Sequence, residues 1–188
     1  MIQSTLYETD PFLLNKKSTL IEYSAFCGST RIFKFFYQQE VDFTPSLFHY
    51  SIHSNNLEIF QMLEKYLVNQ TDIFLNELLI ESIKCHHNQI TNYIFTKFSS
   101  NHNFDRNEVK ISIFKYHNYA FLPTNFDDPF IFYLACFYNY VTIVENLLKT
   151  TTKTNLNKLI ELPNKNKQTA LHGAIDKNNF EIVNLLIQ

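Results

Sequence analysis

The chain of 188 residues has a formal net charge of −2, and 45% of its residues are apolar. Such a composition excludes a disordered polymer, and so small a charge gives no electrostatic reason to bind nucleic acid or an anionic membrane. Neither Gly28 nor Gly173, the two glycines of the chain, stands in a phosphate-cradling frame, which excludes the common nucleotide-binding loops.

No apolar run approaches the roughly 18 residues of a membrane span. From the polar, acidic start "MIQSTLYETD" no secretory signal is expected. Cys27, Cys85 and Cys136 are odd in number and far apart, as expected in a reducing compartment. The expectation is a soluble, cytoplasmic protein.

In chain order, a short helix around Asp10 to Lys16 is expected to cap the N-terminal end. Five segments with one shared pattern follow: "TLIEYSAFCGSTRIFKFF" from Thr19, "SLFHYSIHSNNLEIFQMLEKY" from Ser46, "ELLIESIKCHHNQITNYI" from Glu77, "FIFYLACFYNYVTIVENLL" from Phe130, and "TALHGAIDKNNFEIVNLLIQ" from Thr169. Each reads as two amphipathic helices joined by a tight turn. They stack without gaps, placing repeats at 18–40, 45–68, 76–98, 129–150 and 168–188. One such pair cannot bury its own apolar stripe, so the copies must pack on one another.

The columns of this alignment carry physical meaning. Ser24, Ser51, Ser82, Ala135 and Ala174 are small and let helices approach closely. Beside them stand the mostly apolar Ala25, Ile52, Ile83, Cys136 and Ile175. In the second helix one column is isoleucine throughout, Ile32, Ile59, Ile90, Ile143 and Ile182, and another is large and apolar, Phe36, Leu63, Ile94, Leu147 and Leu186. All are expected to be buried. The turn column reads Gly28, Asn55, His86, Asn139 and Asn178. These residue types tolerate the positive φ that commonly ends a helix, so His86 of "KCHHN" is predicted to be left-handed, with Cys85 in the last turn of a first helix.

Between Ile90 and Ile143 the spacing is too long for one repeat. A degenerate repeat at 104–128, within the irregular stretch 101–128, fills it. "NEVKISIFKY" supplies one more first helix, and Pro123 blocks a full second helix. A β-hairpin over "KISIFKYHNYAF" is the alternative. Asp127 and Asp128 before Pro129 mark a helix start. The lysines and threonines of 149–154 read as a solvated loop, and "NKNK" before Thr169 as a polar hairpin tip with Thr169 as N-cap.

The phrase "TALHGAIDKNNFEIVNLLI" resembles an ankyrin repeat, through Thr169, Leu171, His172, Ala174, Val183, Leu185 and Leu186. It departs at Ala170, at Asn178, and at Lys167 in the hairpin. With the upstream phrases, the chain from about Leu13 onward resembles a family of ankyrin-like domains expanded in a parasitic flagellate protist. The resemblance implies an all-α helical solenoid of about five repeats with no established activity. It also implies that Thr169 and His172 brace the start of a first helix, with His49 in the position of His172.

"KCHHN" invites a metal-site reading, but adjacent residues cannot easily face one tetrahedral point, and no spaced partner motif occurs. No nucleophile stands in a catalytic frame. No catalytic residue, cofactor or metal is therefore expected, and the abundant aromatics lack the basic stripe that nucleic acid requires.

Protein binding is the stronger reading. Phe26, His53, Lys84, Phe137 and Asp176 share one column in which no residue type dominates. Variation beside constant core columns suggests exposure, and in ankyrin arrays this side belongs to the concave binding face. Phe26 and Phe137 would be anchors; the alternative is that both pack under neighbouring loops. The expected role is a non-catalytic scaffold binding a protein partner, with no nucleic acid or membrane. The other reading is a structural or truncated module packing against an attached domain. At Gln188 an apolar stripe is left open, calling for continuation of the array or self-association.

Overall fold

The structure is a computed structural model that describes residues 2–3, 10–13, 17–39, 41, 43–67 and 71–188. Among these, regular structure is helical apart from a two-residue antiparallel ladder. There β1 (Ile2–Gln3) pairs with β2 (Lys17–Ser18), Ile2 opposite Ser18. The chain divides into two compact units, Met1–Val109 and Lys110–Gln188.

The first unit holds α1 (Leu20–Phe26), α2 (Thr30–Gln38), α3 (Ser46–His53), α4 (Leu57–Met62), α5 (Asp72–Lys84) and α6 (Asn88–Phe98). The helices at odd positions pack in series, α1 on α3 and α3 on α5, and so do their partners, α2 on α4 and α4 on α6. The division of the chain falls within α7 (Arg106–Lys115). The second unit continues with α8 (Pro129–Phe137), α9 (Val141–Thr150), α10 (Lys153–Glu161), α11 (Ala170–Asp176) and α12 (Phe180–Ile187). There α8 packs on α11, α9 on α12, and α10 on both α8 and α11.

Local chemistry sets these starts and stops. Glu22 Oε2 accepts from Thr19 N at 2.7 Å while Thr19 Oγ1 accepts from Glu22 N at 3.3 Å, a capping box that opens α1. Asp128 Oδ1 accepts from Phe130 N at 2.9 Å, with Pro129 at the first helical position of α8. Thr169 Oγ1 lies 2.8 Å from His172 Nδ1, bracing the start of α11.

The turn column adopts positive φ in every copy: Gly28 63°, Asn55 53°, His86 58°, Asn139 64° and Asn178 56°. The next residue commonly donates back across the turn. Ser29 N reaches Ser24 O at 2.9 Å, His87 N reaches Ser82 O at 3.0 Å, and Asn179 N reaches Ala174 O at 2.9 Å. This bond pattern closes a helix without leaving its last carbonyls unpaired.

His117 is one more such turn, with φ 53° and Asn118 N bonded to Ile113 O at 3.0 Å. The long interval therefore contains a first helix, α7, and its turn, followed by only a short 3-10 turn at Tyr119–Phe121 before Pro123. The β-hairpin alternative for "KISIFKYHNYAF" is corrected: much of that segment is α7.

The small column is buried in all five copies. Its serines each return their hydroxyl to the carbonyl three residues back at 2.7 Å, Ser24 to Ile21, Ser51 to Phe48 and Ser82 to Leu79. The polar atom is thus satisfied inside the packed interface.

Other expectations need correction. Around Asp10 to Lys16, Pro11–Leu13 form a turn, with Leu13 N on Asp10 O at 3.1 Å, and residues 14–16 lie outside the described residues. The supposed loop 149–154 ends α9 and begins α10, because Leu156, Leu159 and Ile160 make a stripe whose Leu159 is buried. The isoleucine column is fully buried at Ile59, Ile90 and Ile182, but Ile32 is 54% exposed and Ile143 is half-buried. Its neighbour column is buried except for Ile175, which is 58% exposed.

Candidate functional site

The variable column ends each first helix, and serial packing sets its members side by side. Phe26 closes α1 and His53 closes α3, with ring centroids 6.3 Å apart. Phe12 stacks on His53 at 3.7 Å and on Phe26 at 5.9 Å, and meets Tyr50 edge-on at 5.0 Å. Lys84 closes α5 and is linked to His53 through Glu81. His53 Nε2 donates to Glu81 Oε1 at 2.9 Å, and Lys84 Nζ lies 3.1 Å from both carboxylate oxygens. Phe26, His53 and Lys84 thus form one ridge across α1, α3 and α5.

In the second unit Phe137 closes α8 and Asp176 closes α11. The Phe137 ring stacks on Tyr133 at 5.6 Å, and Lys177 Nζ lies 4.7 Å above it. Tyr133 Oη donates to Gln168 Oε1 at 3.2 Å, and Gln168 Nε2 donates to Asp176 Oδ2 at 2.9 Å. Phe26 and Phe137 are both half-buried, and Lys84 and Asp176 are exposed.

Cys85 joins the first ridge, which the reading of "KCHHN" in isolation missed. Its Sγ lies 3.9 Å from His53 Nε2, 4.0 Å from His53 Nδ1 and 4.0 Å from Glu81 Oε1. These three side chains form a candidate ligand set among the described residues. The signal was the repeat itself: Glu81 stands one helical turn before Cys85, and His53 ends the preceding first helix.

The geometry defines what this cluster can do. Tetrahedral zinc with nitrogen, oxygen and sulfur donors at about 2.0–2.3 Å spaces those donors by about 3.3–3.6 Å. Here nitrogen and oxygen are closer and bonded to each other, while sulfur is farther and almost equidistant from both ring nitrogens. The sulfur therefore does not lie beside the in-plane lone pair of Nε2. The three donors face one another rather than a common point, the Phe12 stack holds the ring, and the Lys84 ammonium already serves the carboxylate.

The same geometry disfavours a thiolate nucleophile. Burial, reinforced by the Glu81 charge, pushes the Cys85 thiol up to about 11. The His53 hydrogen bond holds Glu81 down to about 2, against burial and with help from Lys84. The cluster thus stores a proton on sulfur and a charge on Glu81, as an ion-paired surface does.

No helix among the described residues is long and apolar enough to cross a membrane. No protein-family model and no curated protein matches the chain. The class that the structure defines is an all-helical protein.

Proposed function

We propose that the chain is a non-catalytic, ankyrin-like scaffold that binds a protein partner along its variable column. The observation that carries this reading is the ridge Phe26–His53–Lys84, with different chemistry at each step above buried, repetitive columns. Half-buried aromatic rings held by neighbours lose little entropy on binding, which suits them as anchors. The left-handed turns and the Thr169–His172 brace support the ankyrin-like assignment. The proposed location is the cytoplasm, where free thiols such as Cys27, Cys85 and Cys136 persist.

The test is quantitative capture with the intact chain, compared with Phe26→Ala/Phe137→Ala at matched thermal stability. Loss of the captured protein supports the reading, and unchanged capture rejects it. A second reading, a structural module packed against an attached domain, is favoured by the exposed apolar side chains Ile175, Phe180 and Ile187.

A further inference from the structure

We propose that the turn Asp10–Leu13 is an internal occupant of the partner site, and that the protein partner binds by displacing it with a like segment of its own. This rests on the ridge reading above and names the segment the ridge takes: an aromatic residue two places after an aspartate, followed by an aliphatic one.

The ends of α1 and α3 form an aromatic slot. Phe26 ends α1, and Tyr50 and His53 lie in the last turn of α3. The Phe26 ring meets Tyr50 edge-on at 6.5 Å and lies within 27° of the His53 plane at 6.3 Å. Phe12 fits among all three. It is 3° from parallel with Phe26 at 5.9 Å, stacks on His53 at 3.7 Å, and stands edge-on to Tyr50 at 5.0 Å. A slot walled by three rings selects a flat aromatic side chain. Leu13, the next residue, is buried, so the turn contributes an aliphatic side chain as well. A partner that uses Phe26 and His53 as anchors meets Phe12 on both.

The turn is shaped by its own bonds. Asp10 Oδ1 accepts from Phe12 N at 2.8 Å, and Asp10 O accepts from Leu13 N at 3.1 Å. This is an aspartate turn that holds the ring in one pose. The same three residues recur at Asp128, Pro129 and Phe130, with the same side-chain bond at 2.9 Å. The shape therefore follows from the local sequence rather than from the slot, and a segment of another protein can reproduce it. Pro11 is exposed and Phe12 only half-buried. The anchor that follows the turn uses other contacts: Lys17–Ser18 pairs with Ile2–Gln3, and Ser18 Oγ donates to Tyr50 Oη at 3.0 Å in a buried bond. The turn can leave the slot with that anchor in place. It then stays tethered and competes at an effective concentration of about a millimolar.

Fluorescence anisotropy with a dye-tagged synthetic peptide of residues 7–14, YETDPFLL, tests this on the intact chain. Phe12→Ala vacates the slot and should bind the peptide. The wild type should bind it at least about tenfold more weakly, because the tethered turn competes. Asp10→Ala loosens the turn and leaves the slot unaltered, so it should fall between the two. That variant carries the comparison alone if Phe12→Ala melts early. Adding Phe26→Ala to either variant should abolish binding, as should alanine in place of the peptide's phenylalanine. Neither variant binding, the wild type binding as tightly as the variants, or binding that survives Phe26→Ala overturns the proposal. The ridge reading is decided separately by capture with Phe26→Ala/Phe137→Ala. If that double variant loses its captured protein while the peptide fails to bind, the internal occupant alone is rejected.

Discussion

His53 Nε2 and Glu81 Oε1 lie 2.9 Å apart, joining the end of one first helix to the body of the next. Glu81 titrates at about 2 in the folded chain against an ordinary 4.5. A lowered carboxylate contributes stability that is full above pH 4.5 and is lost as pH falls from there toward 2. Glu81→Gln should therefore cost about 1–2 kcal/mol at neutral pH, with the difference from wild type shrinking through that window. Urea denaturation at several pH values reads it. A difference that is the same at pH 7 and at the lowest accessible pH would count against a carboxylate held this low.

The three thiols should differ in reactivity. Cys27 is exposed, whereas burial pushes Cys85 to about 11 and Cys136 to about 12. At pH 8 an aromatic disulfide reagent should modify one thiol quickly. Cys85 should lag a thiol of ordinary pKa by roughly a hundredfold. Cys27→Ser should abolish the fast phase; a fast phase that survives it would contradict the burial of the other two.

His86 occupies a left-handed conformation with φ 58°, which costs an L-residue roughly 1–2 kcal/mol. His86→Gly should match or exceed wild-type stability, and His86→Val should lose about 1–2 kcal/mol. The urea midpoint decides. Equal midpoints for the two variants would show that the turn does not hold this conformation.

Gly173 lies under Tyr133, where an added Cβ would come within 2.8 Å of Tyr133 Cε2. Gly173→Ala should displace the ring, disturb its bond to Gln168, and cost about 1–3 kcal/mol. Pairing it with Tyr133→Leu should give less than the sum of the single effects. Strict additivity would place the strain elsewhere.

How much of this was readable depends on the range of the interaction. Gly28, Asn55, His86, Asn139 and Asn178 announced their turns because the constraint is local and few residue types meet it. Asp128 with Pro129 announced α8 for the same reason. His117 was hidden because the sequence beyond its turn, interrupted by Pro123, never completes a second helix. The stripe of α10 was overlooked beneath its lysines and threonines, although Leu156, Leu159 and Ile160 keep helical spacing. The approach of Cys85 to His53 crosses two repeats, so it appears only once α3 packs on α5.

Side-chain footprinting of the intact chain bound to the protein it captures tests the central claim most directly. Hydroxyl-radical oxidation, read residue by residue, should fall at Phe26, His53 and Phe137 on binding, with the rates at Phe180 and Ile187 unchanged. Protection confined to Ile175, Phe180 and Ile187, with the Phe26–His53–Lys84 ridge still fully reactive, would contradict the account.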